Sequence, residues 1–400
     1  MKLVDVNEFY AEQGGGVRTY VNQKLQAGAA LGHEVVVIAP GPEDREEARL
    51  GGRILWVRSR PMPVDPRYFL LLREKAVHAL LQRERPDVVE GSSAWTGGWM
   101  VARWRGEARE RALGSFFFHQ DPVAVYPQTF LGGRLGEERV DRLFGWYWGY
   151  LRALSARFDV TVTSGHWLAE RLRGFGLHNP VAAPFGIDRA DFSPRRASQQ
   201  VRRQLLSRCG LGPEAALLVC VSRHHPEKRL PTLIDAVGRL SARGRQVGLV
   251  IFGDGPQRAG IERRAAAVPG VHLAGYTRDR QALADAYASA DALLHGSAAE
   301  TYGIAVAEAL CSGLPVVVPD AGGAKDLADP AYAELYPPGD AQACAEAVER
   351  MLARDRQATG RAAAEAADAR VATIDQHFEG LFARYAAESE RKRAANAQKS

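Results

Sequence analysis

Short apolar runs alternate with amphipathic stretches along the whole chain. In the first half the runs fall at residues 3–6, 34–39, 54–57, 87–91, 115–120 and 159–164. They are rich in Val, Ile and Phe and nearly continuous, which is how strands read when both faces of a sheet are covered. Between them the pattern predicts helices at about 16–31, 67–84, 137–156 and 166–174. The second half repeats the theme, with strands at 217–222, 247–252, 271–274, 292–295 and 315–319. Its helices are expected at about 229–242, 256–267, 279–289, 303–312 and 340–353, followed by an alanine-rich helical run over 356–388. Strand–helix alternation of this kind predicts an α/β chain with parallel sheets. The stretch Pro184-Phe185-Gly186-Ile187-Asp188 through Pro194 is rich in turn formers and marks a seam. Residues 1–187 and 195–370 therefore read as two doubly wound, Rossmann-like domains. Ligands in such sheets bind outside the carboxyl ends of the strands, so facing domains are expected to form a cleft there.

Composition narrows the class. Four hundred residues, 46% hydrophobic and 25% charged, describe a globular chain long enough for two cores. No apolar run reaches the roughly 18 residues of a membrane-spanning helix. The N-terminus turns polar too early for a signal peptide, so a cytoplasmic location is expected. Cys209, Cys220, Cys311 and Cys344 lie far apart and read as reduced thiols, neither a disulfide framework nor a zinc site. The net charge of +5 is spread evenly: residues 1–190 carry 25 basic against 22 acidic side chains, residues 191–400 carry 27 against 25. That balance argues against a nucleic-acid partner. Only 7 of the 52 basic residues are lysine, so an ordered lysine is an unusual choice in this chain.

Four places carry candidate chemistry. Glu300-Thr301-Tyr302-Gly303-Ile304 follows an expected strand and opens a helix containing Glu308. A helix start offers unpaired amides to a phosphate, and carboxylates beside it suit sugar or ribose hydroxyls. The plain alternative is that Glu300 caps the helix and Glu308 is solvated. Second, Arg223 and Lys228 sit five residues apart on a strand-to-helix loop, as a diphosphate clamp would require. A solvated basic loop, or Lys228 paired with Glu227, explains them as well. Third, Gln13-Gly14-Gly15-Gly16-Val17-Arg18 opens the first helix, where glycines let a ligand approach the backbone. A tight turn is the alternative. Fourth, His119 ends the strand at 115–120, as either a cleft residue or a structural hydrogen-bonder.

The glycine turn, the Pro184–Asp188 seam, R-x4-K, Gly253-Asp254-Gly255-Pro256 and E-x7-E occur in this order along the chain. Together they resemble the GT-B retaining glycosyltransferases of family 4, and the resemblance covers essentially the whole chain. It implies that Glu308 holds the ribose of a nucleotide-sugar and Glu300 the hydroxyls of the transferred hexose. Thr301, Tyr302, Gly303 and Ile304 would contact sugar and phosphate, with Arg223 and Lys228 neutralising the departing diphosphate. Gly15 and Gly16 would approach the donor phosphates, and Arg18 a charged acceptor. His119 would face the reacting sugar, and Gly275 and Tyr276 the base. A C-terminal helix, about 372–390, would cross back to the first domain. Two positions depart from the family pattern: Ser222 stands where glycine is usual, and Phe185 where asparagine is frequent.

The resemblance further implies retention of anomeric configuration. The chain has no D-x-D sequence, so neither a metal ion nor another cofactor is expected. Thr163-Ser164-Gly165-His166-Trp167-Leu168 and the seam are similar to mannosyltransferase members, which favours GDP-mannose over a UDP-hexose as donor. The acceptor is expected to be a carbohydrate or a lipid-linked glycan. A nucleotide-sugar epimerase or hydrolase of the same fold, or a non-catalytic glycan-binding protein, are the competing readings. Phe144 to Tyr150 and the run Arg103, Arg105, Arg109 and Arg111 raise a peripheral contact with the inner membrane. For the aromatic cluster, burial against the first sheet is the favoured reading.

Overall fold

The computed structural model describes residues 1–12, 15–63, 65–108 and 112–398, without the side chains of 106–108. Gln13, Gly14, Arg109 and Arg111, named above, lie outside the described residues. The chain divides into two compact units. The first comprises Met1–Gln120, Leu143–Pro184 and Ile374–Ser400, the second Asp121–Arg142 and Phe185–Thr373. The segment 121–142 thus groups with the second unit, although it is contiguous in sequence with the first.

In the first unit the strands are β1 (Lys2–Val6), β2 (Glu34–Gly41), β3 (Arg45–Arg49), β4 (Gly52–Arg58), β5 (Arg60–Pro61), β6 (Phe69–Leu70), β7 (Val88–Gly91), β8 (Leu113–Phe118), β9 (Val160–Thr163) and β10 (Pro180–Ala182). Among the described residues, eight of these form one sheet in the order β10-β9-β8-β7-β1-β2-β4-β3. All pairs are parallel except β3 with β4. Its interior carries charge. Lys24, on helix Gly16–Ala30, places its ammonium 3.0 Å from Asp5 and in contact with Glu90, all three essentially unexposed. The hydroxyl of Tyr385, on helix Ile374–Ala397, donates to Glu90 at 2.5 Å. With buried Phe378, Leu381 and Phe382, it fastens that helix to this unit. A buried pair stands only where hydrogen bonds satisfy the charges, which this network does.

The second unit contains β11 (Ala216–Val221), β12 (Val247–Phe252), β13 (Val271–Gly275), β14 (Ala292–Leu294), β15 (Val316–Pro319) and β16 (Ala333–Tyr336). They form a parallel sheet in the order β13-β12-β11-β14-β15-β16. The chain runs outward from β11 to β13 and returns to the other side of β11 as β14. The order therefore reverses between β11 and β14, and the loops leaving these two strands diverge at that point.

Several expectations change. The helix predicted over 67–84 begins at Glu74, because 69–70 pairs as a strand. The helix predicted over 137–156 is two, Glu137–Leu143 and Gly145–Ser155, interrupted at Phe144 (φ −94°, ψ 19°). The helical run over 356–388 is broken as well. Val371 is extended and Thr373 bridges Ile187, separating helices Arg356–Arg370 and Ile374–Ala397. Arg105 is no surface group: it is buried against Asp159 at 2.5 Å, so it cannot face a lipid. Arg103 pairs with Glu74 at 2.5 Å. The aromatic cluster divides, with Tyr147 and Trp148 buried and Trp146 70% exposed. The four cysteines are buried and unbridged. Among the described residues, no helix is long and apolar enough to cross a membrane.

Candidate active site

Two loops meet at the reversal point of the second sheet. The one leaving β11 runs through Ser222 to Lys228, and backbone bonds tie it to the loop after β12. Ser222 N–H donates to Phe252 O at 3.0 Å, His224 N–H to Asp254 O at 2.9 Å and Gln257 N–H to His224 O at 3.0 Å. Gly253-Asp254-Gly255-Pro256 thus serves as the bed of the Arg223–Lys228 loop. A 3₁₀ turn, Pro226–Lys228, then aims Lys228 across to the second loop. That loop leaves β14, and Gly303 ends it at φ +94°, left-handed backbone that glycine adopts without strain, before helix Ile304–Cys311 starts.

Between them lies a pocket of about 240 Å³ lined by Phe185, Val221, Ser222, Arg223, Lys228 and residues 300–305. Seven of the expected residues line it together: Arg223, Lys228, Glu300, Thr301, Tyr302, Gly303 and Ile304. Lys228 Nζ is 2.5 Å from Glu300 Oε1 and 3.6 Å from Glu227, so the cross-loop pair prevails over the sequence neighbour. Glu300 does not cap the helix, because Gly303 occupies that position. Burial opposes ionisation of Glu300 more than any other single influence. Lys228, with His295 and Arg223, outweighs it and holds the carboxyl below its ordinary range. Lys228 in turn is raised, its two carboxylate neighbours overcoming desolvation. Arg223 reaches Glu227 at 3.5 Å, yet its side chain stays 72% exposed and available to an anion.

Glu308 sits deeper in the same helix and is not solvated: it is 8% exposed. Burial pushes its carboxyl up to about 7, against the Arg280 charge and a hydrogen bond from Tyr287. Gly275 ends β13, where its carbonyl accepts from Gly253 N–H at 2.8 Å, and Tyr276 beside it is exposed. Neither lines the pocket.

The remaining expected residues belong to the first unit. Gly15 and Gly16 stand at the start of helix Gly16–Ala30, and a Cβ on either would meet nothing within 4 Å. Arg18, half-buried in the first turn, approaches the Tyr10 hydroxyl. His119 follows β8 directly. Burial, reinforced by Lys24 and opposed by Asp5, holds its imidazole down to about 4, so it is neutral at pH 7.

Sequence reading missed three supports of the pocket. His295, buried at the end of β14, sets Nε2 3.6 Å from Glu300; burial holds it down to about 4. Glu227, within the Arg223–Lys228 loop, is buried and 3.6 Å from Lys228 Nζ. Gly322 and Gly323 press on the backbone of 298–302, and Gly323 N–H donates to Glu300 O at 2.7 Å. The signal for the last was present: Asp320-Ala321-Gly322-Gly323 is another strand-to-helix turn, after β15, the strand beside β14.

Solved structures share this architecture over nearly the whole chain. Sucrose-phosphate synthase from Thermosynechococcus elongatus superposes with a TM-score of 0.75 at 20% identity, covering 96% of this chain and 99% of that one. Anabaena Alr3699/HepE in complex with UDP and glucose does so at 0.69 and 18% identity, covering 96% and 99%. The fold is that of the GT-B glycosyltransferases. At the sequence level, residues 14–191 match glycosyltransferase family 4, and residues 215–354 match glycosyl transferases group 1. The GDP-mannose-dependent alpha-(1-6)-phosphatidylinositol dimannoside mannosyltransferase of Mycobacterium tuberculosis is 31% identical over 320 residues, 80% of this chain and 79% of that protein. A GDP-mannose-dependent alpha-mannosyltransferase of Mycolicibacterium smegmatis is 29% identical over 364 residues, 89% and 90% of the two chains. The chain belongs to this family, the group 1 or family 4 glycosyltransferases, and is a glycosyltransferase.

Proposed function

We propose that the chain is a retaining hexosyltransferase that moves mannose from GDP-mannose, in preference to a hexose from a UDP-sugar, to a hydroxyl of a lipid-linked or other glycan. The observation that carries this reading is the pocket where Lys228 bridges to Glu300 beside exposed Arg223 and the open start of helix Ile304–Cys311. The ammonium has three donors, and Glu300 engages one, leaving others for a diphosphate. As the bond from the sugar's anomeric carbon to phosphate oxygen breaks, the electron pair leaves with the diphosphate. Arg223, Lys228 and the amides of 301–304 stabilise that developing charge, so they bind the transition state better than the ground state. The acceptor oxygen bonds to the anomeric carbon on the face the diphosphate leaves, and its proton passes to the departing phosphate oxygen. No metal ion or other cofactor takes part in this reading.

Glu300 holds hydroxyls of the sugar and Glu308 the ribose. Gly275 and Tyr276 meet the base. Gly15 and Gly16 approach the phosphates, a role supported by the open space around them. Arg18 meets a charged acceptor, and neutral His119 faces the reacting sugar. The donor preference is supported by the names of the mannosyltransferase relatives. The lipid named for the Mycobacterium tuberculosis protein supports a glycolipid acceptor and a peripheral position at the cytoplasmic membrane face. A thermal-shift panel of GDP, UDP and their sugars, followed by product anomer analysis, tests this. GDP and GDP-mannose are expected to raise Tm by several degrees and the product to keep the donor's configuration. Stabilisation by no nucleotide, or an inverted product, overturns it.

A further inference from the structure

The groups flanking Glu308 are singled out neither by motif spacing nor by the family resemblance. The Tyr287 hydroxyl, fully buried, donates to Glu308 Oε2 at 3.3 Å. Arg280 Nη2 stands 4.0 Å from the other oxygen, Oε1. Both residues project from one helix, Arg280–Ser289. Arg280 is itself fixed: its Nε donates to Asp191 Oδ2 at 3.2 Å, and its guanidinium lies 5.1 Å from the Phe192 ring. Phe192 meets Tyr287 edge-on at 5.8 Å, closing the cluster.

This arrangement has a chemical bias. A carboxylate offers about four acceptor positions on its two oxygens. Tyr287 takes one on Oε2, while 4.0 Å is too long for Arg280 to hydrogen-bond to Oε1. Oε1 therefore keeps its acceptor positions while feeling a nearby positive charge. Adjacent hydroxyls are the ligand such an oxygen suits, provided the group is ionised.

We propose that Tyr287 and Arg280 are positioning residues that keep Glu308 ionised and oriented for the vicinal diol of the donor's ribose, so that donor binding is coupled to loss of the Glu308 proton. The inference rests on the reading of Glu308 as the ribose carboxylate. A protonated carboxyl turns one acceptor into a donor and loses the charge that strengthens the bonds it accepts from both hydroxyls. Burial alone drives Glu308 toward that state, and Tyr287 and Arg280 oppose it. Besides Asp191 on Arg280, the titratable groups near Glu308 and Tyr287 among the described residues include the thiols of Cys311, on the same helix, and Cys220, on β11. Burial pushes these up to about 11 and about 12, so both stay neutral between pH 5 and 8 and Glu308 titrates without them.

The test is calorimetric binding of GDP, or of UDP where wild type prefers it, from pH 5.5 to 8.5. The full chain and its Tyr287→Phe and Arg280→Met variants are compared, each also with the 2′-deoxy nucleotide. Wild-type affinity is expected to weaken about tenfold per unit once pH falls below the Glu308 midpoint near 7. Both substitutions are expected to move that midpoint up by about half a unit or more. Tyr287→Phe is expected to weaken the ribonucleotide at least ~3-fold more than its 2′-deoxy counterpart, since its effect passes through the diol. Variants that keep the wild-type midpoint and weaken both nucleotides equally overturn the proposal, because packing alone would do that. A wild type that binds neither nucleotide overturns the ribose reading of Glu308 itself, and the inference with it. Should Tyr287→Phe fail to fold, Arg280→Met decides alone, its side chain being 53% exposed.

Discussion

Replacing Glu308 with glutamine exchanges a buried carboxyl for a neutral amide of the same shape. The carboxyl ordinarily titrates at 4.5, and in the folded chain near 7. Below pH 4.5 both folded and unfolded states hold the proton, and the group contributes no difference. Between 4.5 and 7 the folded state keeps a proton that the unfolded state releases, so stability falls as pH rises. Above 7 the folded chain carries the anion at a net penalty of about 3 kcal/mol, the burial cost less what Arg280 and Tyr287 return. Because only 10% of the side chain is exposed, solvent screening reduces this little. Glutamine removes the penalty and still accepts from Tyr287. Glu308→Gln is therefore expected to unfold roughly 5–10 °C above wild type at pH 8, with the gap closing toward pH 5. Scanning calorimetry from pH 5 to 8 measures it directly. The same variant should lose the stabilisation that nucleotide gives wild type, trading function for stability. A gap that is absent at pH 8, or that does not change with pH, would mean that Glu308 is not held ionised against burial in the folded chain.

Three further outcomes follow from the geometry. In Gly323→Ala the new Cβ would meet Thr301 C and O and Tyr302 N at 2.7 Å; displacing that loop should lower Tm and cut kcat/KM at least ~10-fold, by thermal melts and initial rates. Gly16→Ala meets open space at a helix start, so Tm should hold or rise slightly while donor KM increases; a fall in Tm with unchanged KM would count against the phosphate role. Lys24→Met leaves Asp5 and Glu90 buried without their ammonium and should destabilise the chain by about 3–5 kcal/mol in denaturant titration, a loss under 1 kcal/mol being inconsistent with the network described.

Strand existence was legible because buried parallel strands write themselves as apolar runs, as β2, β8 and β12 do. β3 was not, since Arg45–Arg49 is an antiparallel edge strand with polar side chains on both faces. Helix Thr96–Ala108 was also missed, its glycine-rich start suppressing the helical period. The interruption at Val371 goes with the Ile187–Thr373 bridge, a contact between segments far apart in sequence that local spacing cannot carry. In the site, Arg223, Lys228 and Glu300 were found because each follows a strand, and the sheet order brings β11 and β14 side by side. The burial of Glu308 and the hold of Tyr287 were invisible, since they depend on a neighbouring helix twenty-one residues away in sequence.

Lys228, paired with Glu300 in the free protein, is proposed to stabilise the departing diphosphate. The direct measurement is kcat/KM of purified Lys228→Ala, folded as judged by its melting curve, with saturating acceptor and varied GDP-mannose. The expected loss is at least ~100-fold, matched by Glu300→Ala through the sugar hydroxyls, the scale of a lost transition-state contact. Turnover near the wild-type rate in a folded Lys228→Ala chain would show that Lys228 does not act on the leaving group.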